Sequence, residues 1–274
     1  MKKVMYIGAL ALLAATACNH ADREAEPYLM RAEEALARGN FADAKRQIDT
    51  IRLCYPKAFA VRERGIGLMQ RIELEEQRVS LAYLDSLEAV RVRERDELIP
   101  RFVLEKDTAY QEVGNYVYPS QTVEKNINRT YLRAQVDERG RMRLTSVYCA
   151  ARKLNHHSVR VVASDGSYAE TPVSDDVYVS SDLGVWTEKA DYCVGADGDV
   201  AGFVATHADQ SLMLELVGDR TYRIALARAD RKAIAEVYGL AGVLSALETI
   251  RKQQGEARLK MEFVQRKMQE RASK

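Results

Sequence analysis

The 274-residue sequence predicts an α+β protein in which helical segments at both ends flank an all-β middle region. Apolar residues recur every three or four positions over residues 58–100 and 230–272, a spacing typical of long amphipathic helices. Residues 106–229 instead alternate tyrosine, threonine and valine with polar residues and contain frequent turn signals, as short antiparallel strands do. We therefore expect an N-terminal helical hairpin and long helix, a sandwich or barrel-like β domain, and a long C-terminal helix that pairs with the first long helix.

Residues 1–17 carry the pattern of a secretory signal peptide. Lys2 and Lys3 form a short basic region, and the residues from Val4 to Ala17 are mostly apolar or small. This run of about 14 residues is shorter than the roughly 20 that a membrane-spanning helix needs. The segment is therefore expected to be cleaved rather than to span a membrane.

The residues that end this run, AATAC at positions 14–18, resemble the lipobox of bacterial lipoproteins. In that family, small residues precede a cysteine that receives a diacylglycerol on its sulfur and becomes the first residue after cleavage. The resemblance implies that Cys18 is lipidated and that the protein is held in the bacterial cell envelope by its lipid. Residues 19–26 form a short polar stretch, so residues 18–26 are expected to form a lipidated tether. Ala15 stands where leucine is commonest in the family, and a plain cleaved signal peptide is the alternative.

Residues 27–57 show two helical stripes, separated by Gly39 and Asn40 and ended by Pro56. The small and apolar positions resemble those of a single tetratricopeptide repeat: Ala32, Ala35, Gly39, Phe41, Ala44, Ile48, Ile51 and Pro56. This resemblance implies a helical hairpin that packs against the next helix, because an isolated repeat cannot bury its own faces. Peptide binding by the hairpin is the alternative.

Two longer helices are predicted at residues 58–100 and 230–272. The first carries the stripe Met69, Ile72, Val79, Tyr83, Leu87 and Val90, and the second the stripe Ile234, Val237, Ala241, Leu244, Leu247, Ile250, Gln254, Ala257, Met261, Val264 and Met268. We expect the two stripes to meet in an antiparallel coiled-coil stalk, about 60 Å long at 1.5 Å per residue. The alternative is that the helices lie separately on the β domain or mediate a dimer.

The middle region, residues 106–229, is predicted to form several short antiparallel strands. The expected strands cover residues 130–136, 141–149, 158–163, 200–206, 211–217 and 221–228. In the last of them, Tyr222, Ile224 and Leu226 would share one face, because side chains alternate along a strand. Strands of this length and spacing favour a sandwich or barrel.

Composition and motifs argue against several classes of function. Lys+Arg number 41 and Asp+Glu 40, so no basic excess points to nucleic acid. His156 and His157 are adjacent and would point to opposite faces of a strand, so we expect exposed turn residues rather than metal ligands. The sequence also lacks a recognisable nucleophile motif and a phosphate-binding glycine loop. We therefore expect no enzymatic activity, no metal and no cofactor.

Three cysteines besides Cys18 would be exposed to an oxidising compartment after secretion. A disulfide between Cys149 and Cys193 would close a loop of about 45 residues and stabilise the β domain by roughly 4 kcal/mol in the chain-entropy account. The alternative is that both thiols are free. Cys54 is expected to be a buried small hydrophobe.

A loop-rich stretch, residues 166–192, collects four aromatic residues among serines and acids: Tyr168, Tyr178, Trp186 and Tyr192. Flat aromatic rings with polar neighbours suit contact with sugars or protein surfaces. These four residues are therefore the candidate ligand or partner contacts. A core role for Trp186 is the alternative.

Taken together, these features predict a lipid-anchored bacterial envelope protein that acts as a non-catalytic binding or scaffolding module with a protein partner. Two other functions are open from the sequence. The protein could be a structural subunit of an envelope assembly, with its helices forming a homo-oligomer, or it could bind or process glycans at the cell surface.

Overall fold

A computed structural model describes the backbone of residues 4–273 and the side chains of residues 20–273. The chain forms two compact units, a helical unit (Met1–Leu87 with Lys252–Lys274) and a β unit (Glu88–Arg251). The helices are α1 (Val4–Ala37), α2 (Phe41–Cys54), α3 (Phe59–Leu98), α4 (Val200–Thr206) and α5 (Arg228–Ala272). The strands are β1 (Val103–Glu105), β2 (Asn115–Val117), β3 (Tyr131–Asp137), β4 (Met142–Ala150), β5 (Ser158–Ala163), β6 (Tyr168–Glu170), β7 (Val177–Asp182), β8 (Val185–Cys193), β9 (Leu212–Val217) and β10 (Thr221–Leu226). The predicted α+β class is confirmed.

In the helical unit, α1 and α2 form the predicted hairpin. Its turn contains Gly39 with a φ of +71°, and the side chain of Asn40 caps α2 by accepting a hydrogen bond from the Asp43 N–H at 3.1 Å. Small and branched side chains from α1, α2 and the first part of α3 share one core: Ala25, Leu29, Ala32, Ala35, Ala44, Ile48, Ile51, Ala58, Val61, Leu68 and Ile72. Helix α3 therefore covers the hairpin, as expected.

The predicted tether does not hold for residues 20–26, which belong to α1. Ala25 is fully buried, Asp22 accepts a hydrogen bond from the Val61 N–H at 3.2 Å, and Glu26 is bonded to Arg64 at 2.9 Å. The polar composition that suggested a tether reflects side chains that bind α3 or face solvent. The predicted lipidation site, Cys18, lies outside the residues whose side chains are described.

Helix α5 runs antiparallel to α3, which confirms the predicted pairing. Within the helical unit, the Gln254 side chain donates a hydrogen bond to Asp85 at 2.9 Å, and Arg271 donates to the carbonyl of Glu63 at 2.5 Å. A later residue of α5 therefore contacts an earlier residue of α3, as antiparallel packing requires.

The predicted stripe is right on α5 and partly wrong on α3. The α5 positions Ile234, Val237, Ala241, Leu244, Leu247, Ile250, Gln254, Ala257 and Val264 are all buried. On α3, Ile72 and Leu84 are buried, but Val79, Tyr83 and Val90 are exposed. The periodicity of apolar residues identifies a helix reliably. Which part of a broad apolar stripe becomes buried depends on where the partner helix lies.

The β unit contains two antiparallel sheets that pack around one core. Their strand orders are β1-β2-β3-β4-β8-β7 and β10-β9-β5-β6. The core combines the inward side chains of both sheets with apolar residues of α4 and α5, including Leu144, Val161, Leu214, Val204 and Ile234. As predicted, Tyr222, Ile224 and Leu226 all lie on the face of β10 that meets this core.

A glycine fixes the β3–β4 turn against α5. Gly140 has a φ of +85°, and a Cβ added there would lie only 2.2 Å from the backbone nitrogen of Ser245. Any residue larger than glycine at position 140 would displace helix α5. The turn therefore sets the position of the strand ends relative to α5.

One predicted strand is wrong, and five strands were missed. Residues 200–206 form α4, because the Asp197 carboxylate accepts the Ala201 N–H at 2.9 Å and the helix buries Val200, Ala201 and Val204. The missed strands are β1, β2, β6, β7 and β8. In β8 a buried glutamate, Glu188, interrupts the apolar alternation by which a strand is recognised.

Candidate functional site

A polar network lies at the centre of the β unit and was not predicted. The Ser146 hydroxyl oxygen is 2.8 Å from Nε2 of His156, and Nδ1 of His156 is 3.1 Å from Oε2 of Glu188. All three residues are fully buried. The sequence-based expectation that His156 is an exposed turn residue is therefore wrong.

Backbone donors hold Glu188 in its charged form. Its carboxylate accepts the N–H groups of Leu154, Asn155 and His156 at 2.7, 3.0 and 2.9 Å. Burial by itself raises the pKa of Glu188, but these three N–H donors and the His156 ring keep the pKa below its ordinary value. Since an ionised carboxylate only accepts hydrogen bonds, His156 carries its proton on Nδ1, and Nε2 accepts the Ser146 proton.

Burial also controls the other titratable members of this network. It lowers the pKa of His156, and the opposing effect of Glu188 does not cancel that shift. Burial raises the pKa of Tyr192, whose hydroxyl lies 3.3 Å from the Ser146 oxygen, to about 12. At neutral pH the network therefore consists of a charged Glu188, a neutral His156 and a neutral Tyr192.

The Ser146, His156 and Glu188 side chains have the connectivity of a nucleophile, a base and an orienting acid. Such a relay acts only on a substrate that can reach the hydroxyl, and Ser146 has no exposed surface. Ser146 and Glu188 belong to the six-stranded sheet, whereas His156 precedes β5 of the four-stranded sheet. The network thus connects the two sheets through hydrogen bonds that are closed to solvent.

The four aromatic residues selected from the sequence do not form one surface. Tyr192 is buried beside Ser146, so the prediction that it contacts a ligand is wrong. Tyr168 is exposed on β6 of the four-stranded sheet, with the Arg160 guanidinium 4.8 Å from its ring centre. Trp186 is half-buried on β8, with the Lys153 ammonium 5.5 Å from its ring centre. Tyr178 is exposed on β7.

Strand β7 carries two exposed apolar side chains. It forms one edge of the six-stranded sheet, and Val177 and Tyr178 are 42% and 58% exposed. At the tip of the β7–β8 hairpin, Leu183 is 97% exposed and has a left-handed φ of +47°. This φ is unfavourable for a bulky residue, and Leu183 gains no burial in exchange within the chain.

The backbone of β7 presents free hydrogen-bonding groups at the sheet edge. The Asp191 N–H donates to the Asp176 carbonyl, and this bond fixes the alternation of the β7–β8 ladder. In an antiparallel ladder, residues next to a hydrogen-bonded pair turn their N–H and C=O groups to the opposite side. Val177, Val179 and Ser181 therefore direct their backbone groups away from β8.

The structure does not bring the two candidate disulfide partners together. On β4 and β8, Cys149 lies opposite Thr187 and Cys193 lies opposite Arg143. These positions are six residues apart along the ladder, or about 20 Å, far beyond the reach of a disulfide. Cys149 and Cys193 are free thiols, which corrects the predicted bond. Cys54 is exposed, not buried as expected.

Within residues 20–273, no group of three or more histidine, cysteine, aspartate or glutamate side chains is arranged to hold a metal ion. Among the described helices, α5 alone is long and apolar enough to cross a membrane. Of its apolar window, 44% is buried inside the molecule.

Comparisons of this chain with protein-family models, with curated proteins and with solved structures gave no match.

Proposed function

We propose that this protein is a lipid-anchored bacterial envelope protein whose β unit binds a protein partner without catalysis. The proposal rests on one observation: β7 is an open sheet edge with exposed Val177 and Tyr178, and it leads to the fully accessible Leu183. Open edges of this kind bind an extended segment of another chain as an additional strand. The signal-like residues 1–17 and the lipobox-like sequence before Cys18 support the envelope location.

Charges around β7 indicate the chemistry of the partner segment. Asp175 and Asp176 precede the strand and Asp182 ends it, and none of the three forms an ion pair within residues 20–273. β7 itself contains no lysine or proline, the residues that commonly protect an exposed edge. The best-matched occupant is an extended partner segment with apolar side chains and flanking lysine or arginine residues.

The Ser146–His156–Glu188 network has a structural role in this proposal. Its hydroxyl is buried, so a hydrolytic function would require the sheets to separate around it. A fluorophosphonate probe, which labels accessible activated serines, should therefore leave Ser146 unmodified in the native protein. Labelling of Ser146 that is lost in His156→Gln would contradict a non-catalytic role.

The decisive experiment is site-specific photo-crosslinking in living cells with a photoreactive amino acid in place of Leu183. We expect one discrete adduct with another protein, identified by mass spectrometry. A second change, Val179→Pro, removes an outward backbone N–H from the open edge without removing a β7–β8 ladder bond. The adduct should fall about five- to tenfold, because at least one intermolecular hydrogen bond and the strand geometry are lost.

The matched control is Val179→Ala, which shortens the same side chain and keeps the N–H group. Equal amounts of each variant in the cell, measured by immunoblot, ensure that the adducts are comparable. No adduct from Leu183, or an adduct equally strong in Val179→Pro, would exclude strand addition at β7.

A structural subunit is the second candidate, and a separate observation favours it. Apolar side chains are exposed on the parts of α3 and α5 in the helical unit: Ile66, Val79, Tyr83, Leu259 and Phe263. Such residues are typical of a helix face that meets another chain. Sedimentation of the protein with Tyr83→Lys and Leu259→Lys tests this function, because self-association through these helices would be lost in the double variant.

A further inference from the structure

A cavity of about 770 Å³ lies where the ends of β3, β4 and β8 meet α5. It is within the β unit and contains none of the β7 hairpin residues. Its volume is within the roughly 300–1,000 Å³ range of small-molecule sites. The Gly140 turn against Ser245 forms part of its wall, so the shape of the cavity is set by backbone contacts.

On the strand side, polar residues line the cavity, and the strand register sets their positions. Gln135 lies directly opposite Arg143, and Arg143 lies directly opposite Cys193, so these residues form one row across three strands. Asn115 of β2 lies opposite Asp137, two residues further along β3 on the same face. Neighbouring strands are about 4.8 Å apart, so the row spans about 10 Å.

The charged side chains of this wall are already neutralised within the protein. The Asp137 carboxylate accepts the Arg141 N–H at 2.8 Å and pairs with the Arg141 guanidinium at 2.6 Å. Arg143 is bonded to Asp191 at 3.1 Å. Because each lining charge has an opposite charge beside it, the cavity favours a neutral ligand over a phosphate or a free carboxylate.

The uncharged polar side chains of the wall are available for hydrogen bonding. Within the described part of the chain, the side-chain amides of Asn115 and Gln135 and the hydroxyl of Tyr238 form no hydrogen bond. Each amide offers both donors and an acceptor, and the phenol offers one of each. Side chains with this capacity at a cavity wall are available to a ligand that also donates and accepts.

The helix side of the cavity supplies space and an aromatic ring. A Cβ built on Gly242 of α5 meets no atom within 4 Å, so the space beside this residue is open. Tyr238, one turn earlier, is 40% exposed and lines the same cavity. A flat ring beside an unobstructed stretch of helix can cover the C–H face of a ring-shaped ligand.

We propose that this cavity binds a neutral sugar ring of an oligosaccharide. The hydroxyls at the rim of a sugar both donate and accept hydrogen bonds, which matches the free amides of Asn115 and Gln135. Its C–H face suits Tyr238, and its lack of charge suits a wall whose ion pairs are complete. This site is separate from the protein-binding edge at β7, so either proposal can fail alone.

The test is a binding titration of the full chain, kept in a detergent without a sugar head group, with chitotriose and maltotriose as neutral probes. Ligand-detected NMR and calorimetry should show saturable binding of at least one of them. Gly242→Leu places a side chain in the cavity and should weaken binding by about tenfold or more. Asn115→Ala with Gln135→Ala should weaken binding without filling the space.

Gly239→Leu is the matched control, because it lies on the same helix, also has no atom within 4 Å of a built Cβ, and does not line the cavity. It should bind the probes like the unchanged protein, and circular dichroism should show that both leucine variants are folded. No binding of either probe at millimolar concentration overturns the proposal. So does binding that survives in Gly242→Leu, or cavity-dependent binding of trialanine in place of the sugars.

Discussion

The Ser146 hydroxyl and the His156 imidazole form a 2.8 Å hydrogen bond between two fully buried residues. Ser146 belongs to β4, and His156 lies just before β5, so this bond joins the six-stranded sheet to the four-stranded sheet. Glu188 completes the connection from β8, because its carboxylate accepts hydrogen bonds from the ring N–H of His156 and from three backbone N–H groups. A buried polar network stabilises a fold when every member is satisfied, and its loss is correspondingly costly.

Ser146→Ala is expected to destabilise the β unit by about 1–3 kcal/mol, because the Nε2 atom of His156 would remain buried without its partner. Urea unfolding followed by circular dichroism measures this change. Ser181→Ala is the control, since Ser181 is exposed on β7 and makes no side-chain hydrogen bond within the described residues. Equal stability of the two variants would show that the bond contributes nothing to the fold.

Protein stability should fall as the pH is lowered below the ordinary pKa of histidine. Burial keeps the pKa of His156 below its usual 6.5, so the unfolded chain binds a proton before the folded protein does. The contribution of neutral His156 to the free energy of unfolding is fully present above about pH 6.5. It is lost as the pH falls through the lowered pKa that His156 has in the folded protein.

The measurement compares urea midpoints at about pH 7.5 and 5.5 for the protein and for His156→Gln. The drop between the two pH values should be smaller in the variant, which keeps His20, His157 and His207. An identical drop in both proteins would assign the pH dependence to other groups.

All three cysteines after Cys18 should react as free thiols. Alkylation of the denatured, unreduced protein is expected to modify Cys54, Cys149 and Cys193, and mass spectrometry counts the added groups. In the native protein, Cys54 and Cys193 should react faster than Cys149, which is half-buried. A protected Cys149–Cys193 pair would require a β4–β8 register different from the one described.

Cys18→Ala should abolish lipidation if the lipobox-like sequence is functional. Radioactive palmitate should label the unchanged protein, whereas the variant should remain unlabelled and keep residues 1–17. Cys54→Ala is the matched control and should be labelled normally. Normal cleavage of Cys18→Ala, without label in either protein, would instead favour a plain signal peptide.

The sequence determined the hairpin helix α2, the long helices α3 and α5, and the general class of the fold. Gly39 and Pro56 flank α2, and Pro100 follows α3. The three- and four-residue spacing of Ile234, Val237, Ala241 and Leu244 predicts the buried face of α5. These features are local, because capping, chain stiffness and helical periodicity depend on residues within one or two turns. The same holds for β5, whose Val159 and Val161 alternate with Ser158 and Arg160 as a half-buried strand requires.

Only the tertiary structure decided the features on which the functional proposals rest. Glu188 looks like a surface residue in the sequence, but distant backbone N–H groups make its burial possible. Residues 200–206 have the composition of a strand and become helix α4 through the hydrogen bond from the Ala201 N–H to Asp197 and through contact with the core. The separation of Cys149 from Cys193, the open edge of β7 and the cavity at Gly242 all follow from strand register and helix position. These long-range relations depend on which surfaces meet, and no local pattern specifies them.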